Sequence, residues 1–328
     1  MKYRWIGSHP RTRREVSVLS LGAMLFGTLT DEKTSFAILD RYTEAGGTFV
    51  DTSNNYAYWH TGGQGGESET VLGRWRRSRG VGDEITIATK LGARPLAPGT
   101  GYVENREGLS AATVRRAAEE SRERLGMERL HLLYAHIEDP STPLTETVEG
   151  FAALVAEDTV GLLGVSNHWV WKVERARNTA AAAGLPAFEV LQYSHSYLRR
   201  RTDQPDALSP DGALGVADGN ILSYVRDQPD LALVAYTPLL SGAYTRADKQ
   251  LSRDLDHAGT PIRLAALADV ARETGATASQ VVLSWLIGGA VPVIPLVGAS
   301  SVAQLDESLA AVDLELTAEQ RARLDGAY

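Results

Sequence analysis

Short apolar runs rich in Val, Ile and Leu alternate with longer segments of helical period, and eight such alternations fit within 328 residues, so the sequence predicts an α/β fold of the (β/α)8 TIM barrel type. Continuous apolar runs suit parallel strands covered on both faces. An open doubly wound sheet fits eight βα units in this length less well, and no Pro/Gly/Ser-rich linker separates two halves. The expectation is a single domain over residues 1–328, with an N-terminal β-hairpin.

The predicted strands end near Gly22, Asp51, Lys90, His136, Val165, Tyr193, Tyr236 and Pro295, each followed by a helical pattern. The helix after Tyr193 is reached only through a long polar loop. Between Ser110 and Leu125, residues Val114, Ala117, Ala118, Ser121 and Leu125 share one face opposite arginines and glutamates, as an outer barrel helix requires, and Ser110 is its expected cap. Thr142 before Pro143 predicts another helix start, and Thr277 with Gln280 has capping-box spacing; both are expected to mark unit boundaries. The stretches 57–66, 91–109 and 199–219 exceed ordinary connection lengths and are candidate binding loops.

With 43% hydrophobic residues the chain can bury a large core, and with no cysteine it does so without disulfides or thiolate chemistry. A net charge of -8 argues against nucleic acid as a partner, and no run approaches the roughly 20 apolar residues of a membrane span. A cytoplasmic location is expected. Lysine occurs only at positions 2, 33, 90, 172 and 249, which makes a lysine ending an apolar strand informative.

Barrel chemistry is placed at the carboxyl ends of the strands. There Asp51 ends GGTFVD, Lys90 ends EITIATK and His136 ends HLLYAH, while Tyr56 follows Asp51 in a short polar loop. Together they suit reduction of a carbonyl, whose oxygen gathers negative charge and needs an acid. A tyrosine, ordinarily of pKa about 10, can serve if a neighbouring lysine lowers that value. Asp51 would hold Lys90, and His136 would bind the carbonyl oxygen or relay the proton. The alternative is a structural Asp51–Lys90 ion pair beside two satisfied polar residues.

The blocks FVDTSNNYA, ITIATK and LLYAH, followed by GLLGVSNH, LVAYTPLLSGAY and VIPLVGASSVAQLDESL, resemble the aldo-keto reductases in order and spacing. The resemblance runs nearly end to end. It implies a catalytic tetrad of Asp51, Tyr56, Lys90 and His136, with Tyr56 as general acid. It also implies an extended NADP(H) across the barrel top, although no GxxxxGK[ST] or GxGxxG turn is present. Gly22, Ala23, Met24 and Asp51 would lie near the nicotinamide ribose. Ser166, Asn167 and Gln192 would bond the carboxamide, and Tyr236 would stack on the ring. Thr237, Pro238, Leu239 and Ser241 would follow the pyrophosphate. Gly298, Ser300, Gln304, Glu307 and Ser308 would meet the adenosine phosphate. Basic residues common at that last position are absent, which admits NAD(H) as well. Ser301 and Gln304 also have capping-box spacing.

A small carbonyl compound is the expected partner, with Trp59, His60 and Trp169 as candidate substrate contacts and Tyr58, Trp171, Tyr193, His195 and Tyr197 as further aromatics within reach. The sequence stops at Tyr328 with LTAEQRARLDGAY, so the long carboxyl-terminal lid of some members is not expected, and the site is expected to be open or completed by a neighbouring subunit; the oligomeric state is left open. The resemblance also admits a cofactor-binding regulatory subunit like the potassium-channel β-subunits. A metal hydrolase is disfavoured because no HxH or HExxH occurs, and a serine hydrolase because GVSNH is not a GxSxG elbow.

Overall fold

The computed structural model describes the chain apart from residues 60–62, 98–104, 206–211 and 213. Strands β1 (Tyr3–Ile6) and β2 (Arg14–Ser17) pair antiparallel as the expected N-terminal hairpin. The strands β3 (Ser20–Gly22), β4 (Phe49–Asp51), β5 (Thr86–Leu91), β6 (Leu130–Ala135), β7 (Val160–Ser166), β8 (Val190–Ser194), β9 (Ala232–Tyr236) and β10 (Val293–Gly298) are all parallel. They close into a barrel in sequence order, with β10 returning to β3. The eight strands are the ones the apolar runs predict, and the fold is the (β/α)8 barrel.

Five strand ends differ from the sequence expectation. His136 lies one residue beyond β6, whereas β5, β7 and β8 each run one residue further, to Leu91, Ser166 and Ser194. Pro295 is not a strand terminus but lies inside β10. The proline is accommodated because β10 pairs with β9 over Val293–Pro295 and with β3 only from Leu296, so the missing N–H falls where β10 changes partners.

Alternation along each strand divides the apolar residues in two. Inward-facing Phe49, Ala88, Leu132, Tyr134, Leu162, Val190, Val234, Ile294 and Leu296 fill the barrel, and the hairpin residues Ile6 and Val16 join them. Gly7 allows that close approach: at φ +81° a Cβ there would stand 2.4 Å from a Leu162 methyl. Outward residues such as Leu21, Val50, Ile87, Leu133, Leu163 and Leu191 pack against the surrounding helices.

Those helices are α1 (Glu32–Glu44), α2 (Glu67–Arg79), α3 (Ala111–Leu125), α4 (Leu144–Ala156), α5 (Val170–Ala182), α6 (Gly219–Asp227), α7 (Gly259–Thr274), α8 (Ala278–Ile287), α9 (Val302–Ala310) and α10 (Ala318–Asp325). Ser110 caps α3 as expected, its hydroxyl accepting from the Thr113 N–H, and the five apolar-face residues are buried. Two helix starts need correction. Thr142 is not the cap of α4: Pro143 holds that position, while the Thr142 hydroxyl donates to Asp139 at 2.7 Å. Thr277 and Gln280 do form a capping box, but it begins α8, a second helix within the β9–β10 crossover, so it marks no unit boundary. No described helix is long and apolar enough to cross a membrane.

Burial imposes a pH dependence on this fold. His131, His168 and His195 are each pushed down to about 4, in every case chiefly by burial. Their unfolded forms titrate near 6.5, so on acidification the unfolded chain takes up protons first. Stability is expected to be unaffected by these groups above about pH 6.5 and to fall progressively between about pH 6.5 and 4. Calorimetric melts across that window check this, and a flat Tm would contradict it.

Candidate active site

The ladder register gathers the predicted residues at the carboxyl end of the barrel. Gly298 aligns with Gly22, and Gly22 with Asp51. Further round, Lys90 aligns with Tyr134, Tyr134 with Gly164, Ser166 with Gln192, and Ser194 with Tyr236. The period of two turns Asp51, Lys90 and Gln192 inward on the same face as Phe49, Ala88 and Val190.

Asp51 and Lys90 are fully buried and bonded to each other. The Lys90 ammonium also donates to the Thr52 carbonyl at 2.8 Å and to the Tyr56 hydroxyl at 2.8 Å. The second Asp51 oxygen accepts from the Gln192 amide at 2.8 Å. A buried ion pair of this kind persists only when its remaining donors and acceptors are satisfied, and here they are. Tyr56 and His136 are half-buried, with ring centroids 6.0 Å apart and planes at 79°, so they form the accessible side of the group. The structure therefore brings all four predicted residues together.

The net lowering of Tyr56 expected from Lys90 is not what its surroundings give. Burial, then the charge and hydrogen bond of Asp51, raise Tyr56 well above its ordinary value of 10. The Asp51 carboxylate offsets the lysine charge, and the low-polarity surroundings penalise phenolate. Burial likewise lowers Lys90 against the opposing pull of Asp51, and raises Asp51 against Lys90. His136 is held well below 6.5 by burial and by the Lys90 charge, so it is neutral near pH 7.

Ser166 ends β7, and Asn167 follows in the left-handed region at φ 54°. The Asn167 amide donates to the His136 carbonyl at 3.0 Å and to Ser166 Oγ at 3.1 Å, and its oxygen accepts from Tyr236 Oη at 2.8 Å. Thr237, Leu240 and Ser241 also have positive φ, an uncommon conformation for side chains larger than glycine. Such strain gathers at functional sites. Ala23 is buried, with its N–H donating to the Asp51 carbonyl at 2.9 Å, while Met24 is exposed. Pro238 accepts from Ser196 Oγ through its carbonyl at 2.6 Å, and Leu239 packs against the core.

The adenosine-phosphate candidates have protein partners of their own. Ser301 caps α9 through the Gln304 N–H, but Gln304 Oε1 accepts from the Ser300 N–H at 2.8 Å, so the full capping box is not made. Glu307 accepts from Thr277 Oγ1 at 2.9 Å, and Ser308 Oγ donates to the Gln304 carbonyl at 3.4 Å. Gly298 lies on the exposed rim.

Among the aromatics, Trp59 is exposed and meets Tyr56 edge to face at 6.2 Å between centroids, and Trp169 is half-buried at the start of α5. His60 lies outside the described residues. Tyr193 and Tyr197 belong to the core between barrel and helices: Tyr193 because odd positions on β8 point outward, and Tyr197, beyond the strand, by packing edge to face on Trp285. His195 is packed beside Trp285 in the same outer layer, and Trp171 is exposed on α5 under Lys172.

Sequence reasoning missed four residues here. Tyr134 lies beside Lys90, with the ammonium 5.9 Å from its ring, and Gly164 leaves room for it, since a Cβ there would stand 2.4 Å from the ring. Its inward position follows from its spacing of two from His136. Within the loop between Asp51 and Tyr56, Ser53 contacts both His136 and Asn55. Gly215 closes over Asn167: a Cβ there would stand 2.1 Å from the Asn167 amide oxygen, at φ +83°. Its carbonyl accepts from the Ser194 N–H at 2.7 Å. Gly215→Ala is expected to cost about 1–3 kcal/mol of stability and to displace Asn167. A thermal melt checks this; an unchanged Tm would show that the loop relaxes freely.

A family model described as the Aldo/keto reductase family matches residues 18–328. The uncharacterized oxidoreductase YrpG of Bacillus subtilis is 30% identical over 97% of this chain and 93% of its own length. The norsolorinic acid reductase stcV of Emericella nidulans is 30% identical over 93% of this chain and 76% of its own. The aldo-keto reductase ausK of Aspergillus calidoustus is 28% identical over 95% of this chain and 78% of its own.

Proposed function

Because the chain belongs to the aldo/keto reductase family, we propose that it reduces the carbonyl of an aldehyde, ketone or keto-sugar to an alcohol with NADP(H) or NAD(H), Tyr56 giving the proton. One observation carries the reading: a fully buried Asp51–Lys90 pair directs an N–H at 2.8 Å onto the hydroxyl of a half-buried tyrosine, although Asp51 and the Thr52 carbonyl already serve the lysine.

When bound, the nicotinamide supplies a hydride to the carbonyl carbon. Tyr56 stays protonated until the carbonyl oxygen becomes alkoxide, a base strong enough to take even a phenolic proton of raised pKa. The Tyr56 O–H bond then breaks, the alkoxide becomes an alcohol, and the phenolate left behind is stabilised by the Lys90 N–H. Asp51 keeps Lys90 charged and pointed at the phenol oxygen.

The residues fit a nicotinamide nucleotide. The amides of Asn167 and Gln192 stand at neighbouring strand ends, and the turn with positive φ at Thr237, Leu240 and Ser241 follows Tyr236, which bonds Asn167. Gly22 and Gly298 leave a path without side chains from Asp51 to the start of α9, where Ser300 and Gln304 would receive the far phosphate. The same reading treats residues 1–328 as one cytoplasmic domain.

The test is spectrophotometric. Purified protein given NADPH, and separately NADH, with an aromatic aldehyde such as a nitrobenzaldehyde is expected to oxidise the nucleotide in step with alcohol formation. Nucleotide binding without turnover over a broad carbonyl panel would favour a regulatory subunit instead.

A further inference from the structure

We propose that Glu107 is a positioning residue: its carboxylate holds the turn that carries Tyr56 and so sets the tyrosine hydroxyl against Lys90. The catalytic consequence rests on the proposed carbonyl reduction, with Tyr56 as acid.

Tyr56 closes a β-turn, its N–H donating to the Ser53 carbonyl at 3.3 Å, with Asn54 and Asn55 as the two central residues. The place of the Tyr56 hydroxyl therefore follows the tilt of that turn. Asn54 is fully buried, and two contacts fix it: its N–H donates to the Lys90 carbonyl at 3.0 Å, and its side-chain amide donates to Glu107 Oε1 at 2.7 Å. Glu107 Oε1 also accepts from the Gly92 N–H at 2.7 Å. One carboxylate oxygen thus ties the loop after β4 to the chain directly beyond β5, two residues from Lys90.

Glu107 is itself held. Its N–H donates to the Arg94 carbonyl at 2.9 Å, the Gly108 N–H to the Gly92 carbonyl at 3.3 Å and the Leu96 N–H to the Asn105 carbonyl at 3.0 Å, so residues 92–96 and 105–108 run together as an antiparallel ribbon. That ribbon brings the Glu107 side chain, only 2% exposed, against Asn54. A carboxylate only accepts, so the Asn54 amide turns its NH2 toward it. Removing the acceptor leaves a buried NH2 to be satisfied, a cost large enough to shift the turn toward water.

The hold on the turn needs the oxygen and not the charge. Glu107 Oε2 is buried without a hydrogen bond among the described residues, 3.6 Å from the exposed Arg116 guanidinium. A glutamine keeps its oxygen on Asn54 and Gly92 and places its NH2 where Oε2 lies. Glu107→Gln therefore preserves the turn, and Glu107→Ala releases it.

Carbon-13 NMR of tyrosine-labelled protein, with Tyr56→Phe identifying the signal, reads the setting of the ring without any substrate. Glu107→Ala should shift the Tyr56 signal, and Glu107→Gln should leave it at the wild-type position. In steady-state assays with an aromatic aldehyde, Glu107→Ala should lower kcat by about ten- to a hundredfold, a size reached when a reacting group is misplaced by about 1 Å. KM and nucleotide affinity should stay within roughly twofold of wild type, because the hold acts on the acid alone. Asn54→Ala breaks the same bond from its other end; it should match that loss, the double variant should fall no further, and it stands in should Glu107→Ala fail to fold. An unmoved Tyr56 signal in Glu107→Ala, a Glu107→Gln variant as slow as Glu107→Ala, or equal losses in kcat and nucleotide affinity would overturn the assignment. Failure of the reductase reading is a separate result, in which the wild type turns over no aldehyde while the Tyr56 signal still follows Glu107.

Discussion

Lys90→Met is expected to lower kcat by about 10²–10⁴ and the free energy of unfolding by about 3–5 kcal/mol. The catalytic loss follows from removing the N–H that stabilises the Tyr56 phenolate. The stability loss has a different origin. Methionine fills much of the lysine volume, but Asp51 then remains fully buried with its charge unpaired. Burial already raises Asp51, and without the opposing Lys90 charge it rises further. A carboxyl whose folded pKa lies above its unfolded value is not penalised at low pH, and the penalty grows as pH rises through that interval. The variant should therefore lie closer to wild type in Tm near pH 5 than near pH 8. Paired melts at the two pH values check this, and equal deficits would mean that Asp51 keeps another counter-charge.

Tyr56→Phe is expected to separate chemistry from stability. It deletes the proposed acid, so kcat should fall by about 10²–10⁴. Lys90 loses one acceptor but keeps Asp51 and the Thr52 carbonyl, so the stability change should be about 1 kcal/mol. Nucleotide affinity, measured by quenching of protein fluorescence, should stay near wild type, since Tyr56 holds no residue of the 166–167 or 237–241 segments. Retained turnover would move the proton donor elsewhere.

The barrel was legible because its strands are continuous apolar runs ended by polar residues, and Asp51, Lys90 and His136 stood out as costly groups at those ends. What sequence could not supply was direction. The electrostatic balance at Tyr56 depends on three groups sharing one buried volume, and burial with Asp51 outweighs Lys90 there. The contact of Ser53 with Asn55 and His136 rests on the path of the loop, which a row of small polar residues does not reveal. Aromatic residues near the strand ends misled for a simpler reason: Tyr193 and Gln192 are adjacent in sequence yet face opposite sides of β8, and only the barrel register says which side holds the site. Pro295 and Thr142 were read as punctuation, but each takes a role set by its tertiary neighbours.

The central claim is that this chain transfers hydride to a carbonyl carbon and a proton to its oxygen. Its most direct measurement is the fate of label from nicotinamide nucleotide deuterated at the transferable C4 position, incubated with wild-type protein and an aldehyde. One deuterium is expected on the carbinol carbon of the alcohol formed, with the rate of its transfer lower by about 10²–10⁴ in Tyr56→Phe. Alcohol formed without deuterium, or label transferred equally well by the variant, would contradict it.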